Sequence, residues 1–269
     1  MSEETTGYVS PFDDLWDATA EGTVEDVKHF IEVEGIVVNL KDNDYEGLLH
    51  HAAGHNPNVD VLKYLISLGA DVNDGEGGDY TPLHYAVEFN PNVEVSRYLI
   101  SQGANINART RQDETMLHLA AECNPNVDVL KYLVSQGMDV NAKDSIDGTP
   151  LHNAAARNPN VEVLEYLISQ GADVNAKDTQ NYTPLRLAVD RNPNIEVLKY
   201  LVSQGADINV KDSVFGATIL HDAAKYNSDV EVLKYLISHG ADINAKDNDG
   251  NTPLDVADTK EKKAILKIK

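Results

Sequence analysis

A leucine returns along this chain at a nearly fixed interval. Leu15, Leu49, Leu83, Leu117, Leu151, Leu185, Leu220 and Leu254 are 34 residues apart at every step except one of 35. An alanine stands three residues after each of them, from Ala18 to Ala257. So short a unit cannot bury an apolar core alone, so a chain with this period folds by stacking its repeats on one another.

Residues 149–175 show what one repeat encodes. Thr149 is a good N-cap, and Pro150 fits the first helical position, where a missing N–H costs nothing. At about 100° per residue, Leu151, Ala154 and Ala155 share one face of a short helix, and the small alanines allow the next helix to approach closely. Asn158-Pro159-Asn160 ends that helix: asparagine tolerates the left-handed conformation, proline cannot continue, and Asn160 can cap a second helix. Val161, Val163, Leu164, Leu167 and Ile168 form the apolar arc of that second helix, with Glu162 in its first turn, where the helix dipole favours an anion. Gly171 is placed to end it in the left-handed region. A polar segment, Ala172-Asp173-Val174-Asn175-Ala176-Lys177-Asp178, leads to the next Thr183-Pro184 as an extended, hairpin-like connector.

Thr-Pro-Leu-His-x-Ala, the valine-leucine second helix and Gly-Ala-Asp-Val-Asn-Ala resemble the ankyrin repeat. The resemblance implies an all-α solenoid of paired antiparallel helices with hairpin-like connectors. It extends over residues 11–269 as a single domain of about eight repeats, the first and last acting as caps, behind a disordered tail at residues 1–10. The Asn-Pro-Asn turn replaces the family's usual glycine-containing link and adds a residue, which explains a period of 34. The acids of the first repeat and Asp258-Thr259-Lys260-Glu261-Lys262-Lys263 suggest solvated outer faces. Arg186 and Asp255 stand where the motif histidine is expected, which should weaken those helix starts, and the extra residue of the long step falls within Ser213–Ala217.

The chain has 44 acidic against 22 basic residues, a net charge of −22, which repels nucleic acid and anionic membranes and favours a basic partner. Much of that charge is repetitive and serves helix starts and turns. There is no bilayer-length apolar run and no N-terminal signal, and the lone Cys123 fits a reducing compartment, so a soluble, cytoplasmic monomer is expected.

His50, His84, His118, His152 and His221 recur at one motif position, and the resemblance implies that each hydrogen-bonds the connector of an adjoining repeat. His51 and His55, four apart on an exposed helix face, suggest a metal site, but without a third ligand. The acids around Asp42–Gly47 and Asp247–Gly250 lack the closing glutamate of a calcium loop, so turn chemistry is favoured. No phosphate loop, nucleophile elbow or isolated Ser/His/Asp set is present, and no cofactor is expected.

Variation is concentrated two and six positions after each motif leucine. The resemblance implies that this row lines a concave surface where partners dock, together with the connector tips. Tyr85, Phe89 and Tyr226 are the expected aromatic anchors, Arg157 and Arg191 the polar ones, and Phe215 a tip contact. The expected function is therefore non-catalytic protein binding, as adaptor, scaffold or inhibitor. The alternative is a metal-dependent or enzymatic module using the His51/His55 pair.

Overall fold

A computed structural model describes residues 10–75, 80–227 and 229–267. Among them sixteen α-helices succeed one another without a strand; two isolated antiparallel bridges, Lys41 with Gly47 and Lys211 with Thr218, are all that remains of the expected hairpins. Nearly all of the tail expected at 1–10 lies outside the described residues.

The chain divides into two units, Met1–Ala120 with Asn124–Gly137, and Ala121–Cys123 with Met138–Lys269. In the first, the leading helix of each repeat is α1 (Leu15–Glu21), α3 (Leu48–His55), α5 (Pro82–Phe89) and most of α7 (Met116–Cys123). Their partners are α2 (Val24–Lys28), which runs on into a π-helical turn at His29–Val33, α4 (Val59–Ser67), α6 (Val93–Ser101) and α8 (Val127–Ser135). In the second unit the leading helices are α9 (Pro150–Arg157), α11 (Pro184–Arg191), α13 (Ile219–Lys225) and α15 (Pro253–Val256). They pair with α10 (Val161–Ser169), α12 (Ile195–Ser203), α14 (Val230–Ser238) and α16 (Lys260–Leu266). Within each unit leading helices pack on leading helices and second helices on second helices.

The core keeps the period. Leu83, Leu117, Leu151, Leu185 and Leu220 are inaccessible to solvent, as are the alanines three residues on from the first three of them. Each such leucine contributes about 1.5–3 kcal/mol of burial, and the adjacent alanine keeps the helices close enough to realise it. The second helices begin as expected: Asn160 Oδ1 accepts the Glu162 N–H at 3.1 Å. They also end as expected. Gly171 has φ 92°, its N–H donates to Ile168 O, and Ala172 N–H donates to Leu167 O, a Schellman closure.

The Asn-Pro-Asn turn works differently from the sequence expectation. Asn158 is extended, at φ −84° and ψ 118°, not left-handed. It and its counterparts Asn56, Asn90 and Asn124 are buried, and the asparagines at this position bridge repeats. Asn90 Nδ2 donates to Ala53 O and Asn56 O of the preceding repeat at 2.9 Å each, while its Oδ1 accepts the Asn92 N–H at 2.9 Å. Asn56 makes the same pair of bonds to Thr19 O and Gly22 O, and Asn192 to Ala155 O and Asn158 O. An asparagine suits this position because it makes three hydrogen bonds at once, two of them to carbonyls that a helix end leaves orphaned.

Other polar expectations hold in part. Asp60, Glu94, Asp128, Glu196 and Glu231 sit in first turns and pair with a Lys or Arg three residues on. Asp71, Asp139, Asp173, Asp207 and Asp242 accept the N–H two residues ahead. Much of the negative charge is therefore engaged in local structure. The last helix is not uniformly solvated as expected, because Lys262 is buried along its stem and reaches Asp258 at 2.8 Å.

The buried asparagines should dominate the stability of the turn. Asn90→Ala is expected to cost about 2–4 kcal/mol, because it strands two buried carbonyls and an N–H. Asn92→Ala, which removes an exposed helix cap, should cost about 1 kcal/mol. Urea denaturation monitored by circular dichroism measures both, and equal losses would show that the asparagine is only a turn former.

Candidate functional site

The site grows from the way repeats hold one another. Where the motif histidine is present, Nδ1 accepts the N–H of the residue that precedes its helix: Gly47 for His50 at 3.1 Å, Thr149 for His152 at 3.1 Å and Thr218 for His221 at 3.1 Å. An acceptor Nδ1 places the proton on Nε2. Nε2 therefore donates outward to the next connector, at Tyr80 O (3.1 Å), Tyr182 O (3.0 Å) and Asn251 O (3.1 Å). Burial holds His50 and His152 below the ordinary imidazole pKa, so they stay neutral at physiological pH.

Repeat six breaks this pattern. Thr183 Oγ1 caps α11 directly, accepting the Arg186 N–H at 3.3 Å, and the helix start is retained despite the lost histidine. The Arg186 side chain takes over the outward bond, donating from Nη1 to Ala217 O at 2.9 Å. It also brings a charge into a buried place. Nη2 donates to Asp212 Oδ2 at 3.0 Å and lies 2.6 Å from Asp222 Oδ2, and the guanidinium stacks over Tyr182 at 4.6 Å. The contact with Asp222 is short but misaligned, so that Oδ2 accepts no hydrogen bond.

One cation thus faces several carboxylates. Asp212 is already committed to the connector, accepting the N–H groups of Val214, Phe215 and Ala217. Burial pushes the Asp222 carboxyl up to about 7; Arg186 opposes the shift, Asp190 and Asp212 reinforce it, and Lys225 opposes it.

Around this cluster lies an open cleft of about 530 Å³. Arg186 and Asp190 come from α11, Asp222 and Lys225 from α13, Tyr226 from the end of α13, and Asp247, Asp249 and Phe215 from connector tips. Tyr226 and Phe215 are both about two-thirds exposed. Lys225 Nζ lies over the Tyr226 ring at 4.9 Å. The Phe215 tip is fixed: Asn248 N–H donates to Phe215 O at 2.8 Å, and Gly216, at φ 63°, presses so close that any Cβ there would strike Asn248 Oδ1. The inserted residue of the long repeat therefore holds an aromatic ring out at the rim.

The structure brings some of the sequence-predicted residues together and keeps others apart. Phe215 and Tyr226 meet in the cleft, and Arg191 lines an adjoining hollow that Tyr226 also borders. Arg157 is exposed and paired with Glu122. Tyr85 and Phe89, in the first unit, form a separate cluster with rings 6.0 Å apart; Tyr85 donates its hydroxyl to Glu46, and Phe89 stacks on His55. The variable row is not uniformly exposed. Leu119, Leu187 and Asp222, two residues after the motif leucine, are buried, whereas Phe89, Arg157 and Tyr226, six residues after it, are exposed.

The His51/His55 pair does not come together as a metal site. His55 faces Phe89, while His51 turns to Asp42 and Glu46. Sequence reasoning also missed Arg186, Asp190, Asp212 and Asp222. A usable signal existed in the arginine at an inward motif position, which demands a buried counter-ion.

A model of ankyrin repeats in three copies matches residues 15–110, 81–144, 117–212 and 194–268, and the chain belongs to the ankyrin-repeat family. No curated protein matches it. Among solved structures it is similar to the human ASB11 ankyrin repeat domain, at 26% identity and a TM-score of 0.70, over 82% of this chain and 97% of that one. Ankyrin repeats are generally protein–protein interaction modules. Among the described residues no helix is long and apolar enough to cross a membrane.

The raised Asp222 carboxyl has a definite sign in stability. The folded state holds its proton from about pH 4, the unfolded value, to about pH 7. The stability this provides is complete below the unfolded pKa and is lost as pH rises through the folded one. Asp222→Asn should therefore gain on the wild type by roughly 1–3 kcal/mol between pH 5 and pH 8, measured by denaturant titration at each pH. Parallel pH curves would show that Asp222 is ionised throughout.

Proposed function

We propose that this chain is a non-catalytic protein-binding module whose second unit receives a basic segment of a partner protein in the cleft around Arg186 and Asp222. The observation that carries this reading is the charge imbalance of the cleft. Asp190, Asp222, Asp247 and Asp249 line it against only Arg186 and Lys225. A Lys or Arg side chain entering there supplies the missing cation, and its charge pulls Asp222 into the ionised form at neutral pH. Phe215 and Tyr226 offer exposed rings at the rim, the residue types that anchor interfaces and stack on cations.

The mechanism is presentation of a preorganised surface. The Phe215 tip is locked by Asn248 and the helix faces are fixed by their neighbours, so little order has to be gained on binding. Arg157 and Arg191 extend the contact surface of the same unit, and Tyr85 with Phe89 offers a second aromatic patch in the other. Adaptor, scaffold and inhibitor roles all arise from this one property and differ only in the partner.

Selection from a random displayed-peptide library tests the reading. Peptides recovered by the wild type should be enriched in Lys and Arg, should lose about tenfold in affinity against Tyr226→Ala or Asp190→Asn, and should bind more weakly at pH 5.5 than at pH 7.5 as Asp222 takes up its proton. Neutral or acidic peptides, or affinities indifferent to both substitutions, would remove the cleft from the function.

A further inference from the structure

In the first unit, the connector before α3 folds back over the start of that helix. Lys41 bridges to Gly47, Tyr45 turns the tip at φ 66°, and Asp42 Oδ1 accepts the N–H groups of Asp44 and Glu46 at 2.9 Å each. Asp144, Asp178 and Asp247 brace their own connectors in the same way. Here the second oxygen has a further neighbour. Asp42 Oδ2 lies 2.9 Å from His51 Nε2, Glu46 Oε2 lies 3.7 Å from the same nitrogen, and the three donor atoms are all within 4.8 Å of one another.

We propose that Asp42, Glu46 and His51 form a binding site for one divalent transition-metal ion of the zinc type, bound through Asp42 Oδ2, Glu46 Oε2 and His51 Nε2. The donor chemistry selects the class. Imidazole nitrogen beside two carboxylates suits zinc, whereas calcium and magnesium take oxygen alone. The spacing fits as well. Ligand atoms about 2.0–2.1 Å from a tetrahedral zinc lie about 3.3 Å apart, and the two distances from His51 bracket that value, so small side-chain movements suffice.

The outer contacts already hold the donors in place. Asp42 is oriented by its two amides and Glu46 by the Tyr85 hydroxyl on its other oxygen, while Trp16 covers the His51 ring at 4.9 Å. All three donor residues are partly shielded from water. His51 is the only histidine two residues after a motif leucine, so the other repeats cannot assemble the same set. Three protein ligands leave a fourth position open to water or to a partner's side chain.

Zinc titration of chelator-treated, dialysed full-length protein by calorimetry tests the site. One equivalent should bind, with affinity falling at least tenfold in His51→Ala and in Asp42→Asn, and staying within twofold in His55→Ala. Asp42→Asn and Glu46→Gln keep the amide and phenol contacts that hold the connector, and circular dichroism checks that each variant is folded. Cobalt bound in place of zinc should give visible d–d bands that Glu46→Gln alters. Absence of stoichiometric binding would overturn the proposal and leave Asp42 and His51 as a hydrogen-bonded pair. Zinc binding that survives both His51→Ala and Asp42→Asn, or that vanishes in His55→Ala, would overturn it equally.

Discussion

A helix that ends inside a protein leaves carbonyls without partners, and the packing of these repeats depends on how those carbonyls are satisfied. Asn90 reaches 34 and 37 residues back to satisfy Asn56 O and Ala53 O. The motif histidines reach forward, His152 and His221 each giving the Nε2 proton to the following connector. Connector asparagines close the outer edge in the same manner: Asn175 Nδ2 donates to Gly205 O while its Oδ1 accepts the Asp207 N–H. Leucine burial supplies most of the attraction, but these bonds fix where one repeat sits on the next. A hydrophobic face alone would tolerate sliding.

The candidate cleft arises where this uniform arrangement is altered. Arg186 keeps the structural bond of the histidine, to Ala217 O, and adds a charge. That charge meets both Asp212, already held by its connector amides, and Asp222 in the interior. Burial, reinforced by the nearby carboxylates of Asp190 and Asp212, lifts the Asp222 carboxyl. The extra residue of the long step works alongside it, since the turn at Gly216 puts Phe215 on the rim. A scaffold built from near-identical parts acquires a particular surface through two local departures.

The parts of this architecture that were legible from sequence are those governed by neighbours along the chain. Helix faces, the asparagine N-caps and the glycine closures depend on residues one to four positions apart, and the structure has them where periodicity puts them. The misreadings concern distant partners. Asn158 reads as a turn former because its bond to Ala121 O spans 37 residues. Leu119 and Leu187 read as surface because the groups that cover them lie elsewhere in the chain. His51 looks paired with His55 by helix spacing, yet the backward fold of the Asp42–Gly47 connector brings carboxylates to it instead. The recurring histidine was understood through family resemblance, and its tautomer emerges only from the bonds at both ring nitrogens.

The joint between repeats six and seven has a consequence for the modular growth of such a chain. The joints at His50, His152 and His221 share one set of bonds, each histidine giving its Nε2 proton to a carbonyl of the following connector. This one is keyed. Transplanted next to a histidine-bearing repeat, repeat seven would present Asp222 without its guanidinium, and repeat six without repeat seven would keep a buried Arg186 without the Asp222 carboxyl beside it. Recombination at those three joints would restore the same bond, but repeats six and seven have to travel as a pair.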